Sequence, residues 1–374
     1  MTKTQFKSTT LAVTLIIILF VPPKGLAWGG RGHDSICQAA IHLVKNQNLK
    51  DYLSNKPQIM GHLCNVPDTY WRSLPRDLTQ HGDPTHYINP EALGLTVKDI
   101  PTDLKKLIYK YTGTQTDKEI KKETETALPQ KKIVSVPLDM GTNWWRADQF
   151  YRSAIESGKK LKDSPAPTNK SEQQNEKLPY NKAAFEMLIA MGVMGHFVGD
   201  NSQPLHISSD YDGYAANSGG IHAYYEDACV AEFGPNLQAL IVKKAQQLKS
   251  LKFITATTTV EKMKALGELS LSEAKDIFKL DPIISPSTLK LEKGMSLRTE
   301  AKRQPPSVGQ KRFEKLIVVQ MARSSLLLAK LWDEIYEKSG SPELKAYKSY
   351  AYPFKPDFVM PDYYDVTVEG QKKK

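Results

Sequence analysis

Residues 195–206, GHFVGDNSQPLH, place two histidines and an aspartate in the spacing H-x-x-x-D-x-x-x-x-x-H. On a helix, His196 and Asp200 lie one turn apart on the same face. Pro204 predicts the end of that helix, after which the chain can bring His206 back toward the other two. The stretch therefore predicts three zinc-type ligands gathered at one helix end.

The residues before this motif predict a long buried helix. Residues 181–200 are mostly apolar, with Phe185, Leu188, Ile189, Met191, Val193 and Met194. The spacing of apolar residues predicts further amphipathic helices in residues 34–45, 236–248, 257–278 and 310–338. The best candidate for a strand is residues 132–137. The chain thus predicts a mainly α fold, a multi-helix single domain with few or no strands.

Residues 28–374 show no change of composition that would mark a domain boundary and no internal repeat, which predicts a single domain. Two stretches rich in polar and turn-forming residues, 113–132 and 159–179, predict mobile surface loops. After Tyr347 the chain has no regular apolar spacing, so we expect it to run over the surface.

Residues 1–27 have the pattern of a secretory signal peptide, which predicts a secreted or periplasmic protein. Lys3 and Lys7 make the start positive, residues 11–21 are apolar, and residues 25–27 are small enough for cleavage. An uncleaved membrane anchor is the alternative interpretation, although the apolar run is short for a span.

Cleavage after Ala27 would make Trp28 the first residue of the mature chain. Its free α-amino group would have a pKa of about 7.7–8.0 and could bind a metal together with its own carbonyl oxygen. The glycines of residues 28–33, WGGRGH, predict a tight turn that lets His33 reach the same ion. Export would then complete the site.

The chain is basic, with 51 Lys+Arg against 41 Asp+Glu. A positive surface favours a polyanionic partner, either nucleic acid or an anionic membrane, although solubility alone also explains it. The three cysteines allow one disulfide in an exported protein, and we expect Cys37–Cys64 with Cys229 left free.

Other segments contribute ligand-type residues, namely Trp28 and His33, Asp68, His86, and the pair His222 and Glu226 in the spacing H-x-x-x-E. Together with residues 195–206 they outnumber the four ligands that one zinc ion needs, which predicts two or three ions. The remaining histidines, His42, His62 and His81, have no such context and are expected to lie on the surface or make hydrogen bonds.

These motifs resemble the superfamily of zinc-dependent single-strand nucleases of fungi and plants and bacterial zinc-dependent phospholipases C. The resemblance covers residues 28–90 and 181–230 and implies a mostly helical enzyme with a trinuclear zinc site. It implies Asp68, His86, His196 and Asp200 for the first ion, His206, His222 and Glu226 for the second, and Trp28, His33 and a bridging Asp200 for the third.

The chain resembles each of the two branches of that superfamily in part, so the resemblance leaves two candidate substrates, nucleic acid and phospholipid. The WG-x-x-GH and HF-x-GD-x-x-QPLH motifs resemble the nucleases. The carboxylate of Glu226, and the position of His222 sixteen residues after His206, resemble the phospholipases. The leading hypothesis is a secreted zinc phosphodiesterase that cuts single-stranded nucleic acid, with 3′-nucleotidase action as an extension. Phospholipase C is the alternative, and a non-catalytic zinc protein is the third. No obligate protein partner is indicated.

The resemblance also gives roles to residues around the ions. Clustered zinc lowers the pKa of a bound water, and Asp68 is expected to orient that nucleophile. Arg72 is expected either to add charge to the transition state or to form a surface ion pair. Tyr87 is expected to stack on a base or to pack in the core, and Asn89 to hydrogen-bond base edges.

Overall fold

The computed structural model of this protein describes residues 28–114, 133–249, 251–292, 295–348 and 355–363. The signal peptide predicted for residues 1–27 lies outside the described residues, as does most of the loop predicted for residues 113–132.

Helices make up most of the described chain. The α-helices are α1 Gly29–Leu43, α2 Gln47–Ser54, α3 Pro57–Asn65, α4 Arg76–Gly82, α5 Leu104–Tyr111, α6 Val136–Met140, α7 Asn143–Asp163, α8 Lys170–Gln174, α9 Pro179–Asp200, α10 Ile221–Ala223, α11 Cys229–Ala231, α12 Leu237–Gln247, α13 Lys252–Thr255, α14 Thr259–Leu271, α15 Ala274–Leu280 and α16 Pro306–Lys338. Short 3₁₀ turns cover Trp71–Ser73, Asp83–His86, Pro90–Leu93, Val97–Asp99, Pro204–Ile207 and Gly234–Asn236. The strands are β1 Ile283–Ser285, β2 Thr288–Glu292, β3 Met295–Thr299 and β4 Lys302–Arg303.

The few strands form two small antiparallel pairs between α15 and α16. β1 pairs with β4, and β2 pairs with β3 so that Leu289 lies opposite Arg298. The architecture confirms the mainly α, multi-helix single domain predicted from the sequence.

Two antiparallel helices, α7 and α9, form the centre of the molecule. Asn143 and Trp144 at the start of α7 hydrogen-bond Phe197 and Asn201 at the end of α9. Among the described residues α9 alone is long and apolar enough to span a membrane, but 83% of its most apolar window is buried inside the protein. It is therefore the core helix predicted from residues 181–200.

Helices α1, α3 and α16 pack around the end of α9 that carries His196. Close approach is possible because Gly192 and Gly195 have no Cβ: one placed on them would meet Leu63 of α3 and Cys37 of α1 respectively. Cys37 and Cys64 form a disulfide between α1 and α3, which confirms the expected pair, and Cys229 is free and buried.

Three local predictions from the sequence are wrong. The described part of the predicted strand, residues 133–137, is not a strand, because Pro137 lies in the first turn of α6, where its fixed φ favours a helix. The glycines of residues 28–33 do not make a tight turn, since α1 already begins at Gly29. The stretch 159–179 is not one loop. Helix α7 continues to Asp163 because Leu161 in its last turn is buried, and the Asn169 side chain caps the start of α8.

We predict that Gly195→Ala lowers the free energy of unfolding by about 1–3 kcal/mol, since the added methyl group overpacks the contact with Cys37 and Leu328. Equilibrium denaturant unfolding measures the change. Gly30→Ala is the matched control, because Gly30 lies in a helix where a Cβ meets only Asn65 at 3.7 Å. Equal or higher stability of the Gly195 variant would contradict this account of the packing.

Candidate metal centre

The C-terminal end of α9 gathers the residues of the H-x-x-x-D-x-x-x-x-x-H motif. His196 and Asp200 are fully buried one turn apart, with His196 Nε2 lying 3.2 Å from Asp200 Oδ2. The 3₁₀ turn Pro204–Ile207 then reverses the chain, and His206 Nδ1 lies 3.9 Å from Asp200 Oδ1. The proline and the turn after it thus place a third ligand-type residue beside the helix end.

Asp68, His86 and His196 form the first of three ligand groups. Their ligand atoms all lie within 4.8 Å of one another. The 3₁₀ turn Asp83–His86 carries His86, and its Nδ1 lies 2.9 Å from His196 Nε2. Asp68 follows α3, and its Oδ1 lies 3.6 Å from His86 Nδ1. Two buried imidazoles and a carboxylate therefore face one point.

His33, His196 and Asp200 form the second group, which shares His196 with the first. The His33 and His196 rings stack with centroids 4.1 Å apart, and His33 Nε2 lies 3.3 Å from Asp200 Oδ1. Asp200 Oδ2 in turn lies 3.1 Å from His86 Nδ1. Asp200 thus reaches both groups, as expected of a carboxylate that bridges two ions.

His206, His222 and Glu226 form the third group. His222 Nε2 lies 3.2 Å from His206 Nε2 and 2.8 Å from Glu226 Oε1. A π-helical segment, Tyr224–Ala228, joins α10 to α11 and carries Glu226. Such segments often occur at functional sites, where they change the direction of a side chain.

Backbone carbonyls orient three of these imidazoles. In each one Nδ1 donates to a carbonyl 2.8 Å away: His196 to Cys64, His206 to His86, and His222 to Tyr211. In the neutral ring this bond leaves Nε2 as the unprotonated nitrogen, directed into the groups. Metal-binding histidines are typically held in this way.

The buried charges of the centre fit a bound cation. Asp68 Oδ2 and Asp200 Oδ1 are buried and make no hydrogen bond within the described residues, and the same holds for both ring nitrogens of His33. Buried carboxylates without such partners are costly unless a cation neutralises them. Because nitrogen and carboxylate ligands in groups of three or four suit zinc, the residues present fit that ion.

Burial and neighbouring charges set the protonation of the centre. Burial lowers the pKa of His86 and of His196 to about 4, so both stay neutral and able to bind a metal at pH 7. Burial opposes ionisation of Glu226, but His222 and His206 lower its pKa to about 2. Burial alone would lower the pKa of His206, but the negative charges of Asp200 and Glu226 have the larger effect and raise it to about 9. A cation bound in the third group would therefore displace the proton that His206 carries at pH 7.

Trp28 lies beneath the second group. Its indole is fully buried, and Nε1 donates to the Gly199 carbonyl at 2.8 Å. The Trp28 carbonyl accepts the Gly32 amide at 3.0 Å. Helix α1 therefore begins immediately after Trp28, at Gly29, and carries His33 to the centre. The roles of the Trp28 amine and carbonyl as ligands stay predictions.

The residues expected to contact substrate lie around the first group. Arg72 Nη2 lies 3.0 Å from Asp68 Oδ1, and 30% of the Arg72 side chain is exposed. Tyr87 is half-buried against Gly141, and burial with nearby carboxylates raises its pKa to about 12. Asn89 is half-buried, and its backbone amide donates to the Met140 carbonyl at 2.6 Å. The structure places His42, His62 and His81 outside the three groups.

Sequence reasoning gave no role to Gln203, which holds the third group. Its Nε2 donates to Glu226 Oε2 at 2.7 Å, and its Oε1 accepts the Leu205 amide. Gln203 is fully buried. It therefore fixes the Glu226 carboxylate and the turn that carries His206 at the same time. The sequence feature that could have pointed to this role is the side-chain amide of Gln203 directly before Pro204.

Arg303 of β4 holds the loop that leads to His222, and sequence reasoning missed it as well. Its guanidinium pairs with Asp281 through two bonds of 2.9 and 3.0 Å. The same group donates to the Ser218 and Gly219 carbonyls. Arg303 thus joins the loop before His222 to a distant part of the chain.

We predict that Gln203→Leu weakens zinc binding at the third group about 10–100-fold, since second-shell partners of metal ligands contribute that much affinity. Competition with a chromophoric chelator measures the affinity of each ion. Only the ion held by the third group should be affected.

Gln149→Leu is the matched control, because Gln149 is a buried amide whose bonds reach Arg146 and Met360 rather than the centre. Unchanged zinc affinity in Gln203→Leu, or an equal loss in both variants, would refute the specific role of Gln203.

Comparisons with known proteins assign no family to the chain. No family model matches it, and no curated protein matches it. Among solved structures, a crystal structure of Clostridium perfringens alpha-toxin from avian strain SWCP resembles it with a TM-score of 0.36 and 13% identity. The match covers 84% of this chain and 66% of the alpha-toxin chain, so it spans somewhat less than two thirds of that protein. A likeness of this size assigns neither family nor activity.

Proposed function

We propose that this protein is a zinc-dependent hydrolase of phosphoric diesters. The observation that carries the proposal is the set of three adjoining groups of buried histidine and carboxylate ligands at the end of α9. Groups that share His196 suit several ions close together, as phosphodiester hydrolysis by metal clusters requires. A single structural zinc would not need three such groups.

Bound zinc would supply Lewis acidity and lower the pKa of a coordinated water. The chain's own residues complete the chemistry. Asp68 Oδ2 is buried without a hydrogen bond and can accept a proton from the attacking water. Arg72 is held beside Asp68 but partly exposed, so its guanidinium can contact the phosphoryl oxygens as negative charge develops.

We further propose phospholipids as the substrates, with cleavage of the glycerol–phosphate bond. The short distance along the chain from His206 to His222, and the carboxylate of Glu226, support this choice over nucleic acid. The half-buried Tyr87 also supports it, because its ring packs on Gly141 rather than standing free to stack on a base. The basic net charge is compatible with both substrates.

We expect the zinc-loaded protein to release phosphocholine from monomeric short-chain phosphatidylcholine and to lose this activity on chelation, with recovery when zinc is restored. His196→Asn should reduce kcat/KM at least 10²-fold because two groups lose a ligand. His42→Asn is the matched control, since His42 is exposed on α1 outside the groups.

The same assay with single-stranded DNA and RNA separates the candidate functions. Cleavage of nucleic acid without lipid cleavage would contradict the phospholipid substrate and favour the nuclease. Tight zinc binding without hydrolysis of any diester would favour a non-catalytic zinc protein.

We also propose that the protein is exported to the periplasm or outside the cell, that its mature chain begins at Trp28, and that removal of residues 1–27 completes the centre by freeing the Trp28 amine. A protein that retains Ala27 should bind fewer zinc ions per chain than one that begins at Trp28, as measured by inductively coupled plasma mass spectrometry. Equal zinc content in the two proteins would refute a role of the terminal amine.

A further inference from the structure

Helix α5 has one apolar face in the core and one basic, aromatic face in solvent. Leu104, Leu107 and Ile108 are buried, so the helix is fixed to the body of the protein. On its other face Lys105, Lys106, Tyr109 and Lys110 are all exposed. Tyr109 is 74% exposed, more than any other large hydrophobic residue in the part of the chain described.

Two further exposed apolar residues lie beside α5. Val134 is 73% exposed and Leu138, on α6, is 47% exposed. The Gly113 amide donates to the Ile133 carbonyl at 2.8 Å, and the Ile133 amide donates to Thr114, so the end of α5 is joined to the residue before Val134. Helices α5 and α6 also contact each other. We call Lys105, Lys106, Tyr109, Lys110, Val134 and Leu138 the α5–α6 patch.

The patch is held rigidly rather than left as a loose loop. Asp139 Oδ2 accepts the amides of Val134 and Ser135 at 3.1 and 3.2 Å, which fixes the start of α6. Exposed apolar side chains on fixed backbone remain in water unless a partner covers them. Such surfaces commonly mark sites of membrane or protein contact.

Helix α6 connects the patch to the residues that follow His86 beside the metal centre. The Met140 carbonyl at its end accepts the Asn89 amide, and the following Gly141 packs on Tyr87. Tyr87 is the neighbour of the ligand-type residue His86 in the chain. A large body that rests on the patch would therefore lie beside the ligand groups.

We propose that the α5–α6 patch docks this protein on a phospholipid bilayer that carries anionic lipids. The three lysines supply the complementary charge, and Tyr109, Val134 and Leu138 supply apolar groups that can enter the interface between headgroups and acyl chains. The proposal rests on the lipid substrate proposed above, because docking would bring the centre to the surface that holds that substrate.

The test is flotation of the zinc-loaded protein with vesicles of phosphatidylcholine, with and without phosphatidylserine. We expect stronger binding with phosphatidylserine and weaker binding at high salt, where exposed charges are screened. The triple variant Tyr109→Ser, Val134→Ser, Leu138→Ser should lower the partition coefficient by about tenfold or more. The variant Lys105→Gln, Lys106→Gln, Lys110→Gln should abolish the preference for phosphatidylserine.

The matched control is Ile284→Ser, Leu297→Ser, Val308→Ser, which removes three exposed apolar residues away from the patch and should leave vesicle binding unchanged. Hydrolysis of monomeric short-chain phosphatidylcholine reports on the centre separately. The patch variants should retain it. If the wild-type protein binds vesicles through the patch but hydrolyses no lipid, the docking stands and the proposed function fails.

Three results would overturn the docking. One is vesicle binding by the apolar triple variant equal to that of the wild type. Another is a dimer, seen by sedimentation velocity, that the triple variant abolishes, since the patch would then be a contact between two copies. The third is single-stranded oligonucleotide binding, lost in the lysine variant, without any vesicle binding.

Discussion

The structure depends on the cost of burying carboxylates and imidazoles together at the end of α9. Asp200 and Glu226 are fully buried, and Asp200 Oδ1 makes no hydrogen bond within the described residues. Uncompensated charges in such a place would destabilise the fold by several kcal/mol each. A bound multivalent cation would offset that cost, which would couple metal binding to the folding of the centre. The α5–α6 patch is a separate surface and does not enter this balance.

The rest of the fold serves to hold these groups in place. Glycines in α9 let α1 and α3 approach closely enough to deliver His33 and Asp68, and the Cys37–Cys64 disulfide joins those two helices. Carbonyls from three separate parts of the chain, those of Cys64 in α3, His86 and Tyr211, orient the histidine rings. The ligand geometry is thus distributed over most of the chain, although the ligands themselves fall in a few short motifs.

Local spacing predicted the parts of the site that depend on one segment. The helix end that carries His196 and Asp200, and the return of His206 after Pro204, follow from the motif alone. The roles of Gln203 and Arg303 could not be predicted, because their carboxylate partners, Glu226 and Asp281, lie 23 and 22 residues away along the chain. The start of α1 at Gly29 was missed for a similar reason: the buried Trp28 indole, bonded to Gly199, anchors a helix whose glycines alone predict a turn.

The most direct measurement of the central claim is the zinc content of the mature protein, together with its stability before and after chelation. The account predicts three zinc ions per chain, one for each ligand group, and a large drop in the melting temperature when they are removed. Fewer than two ions per chain, or a melting temperature that does not change on chelation, would contradict it.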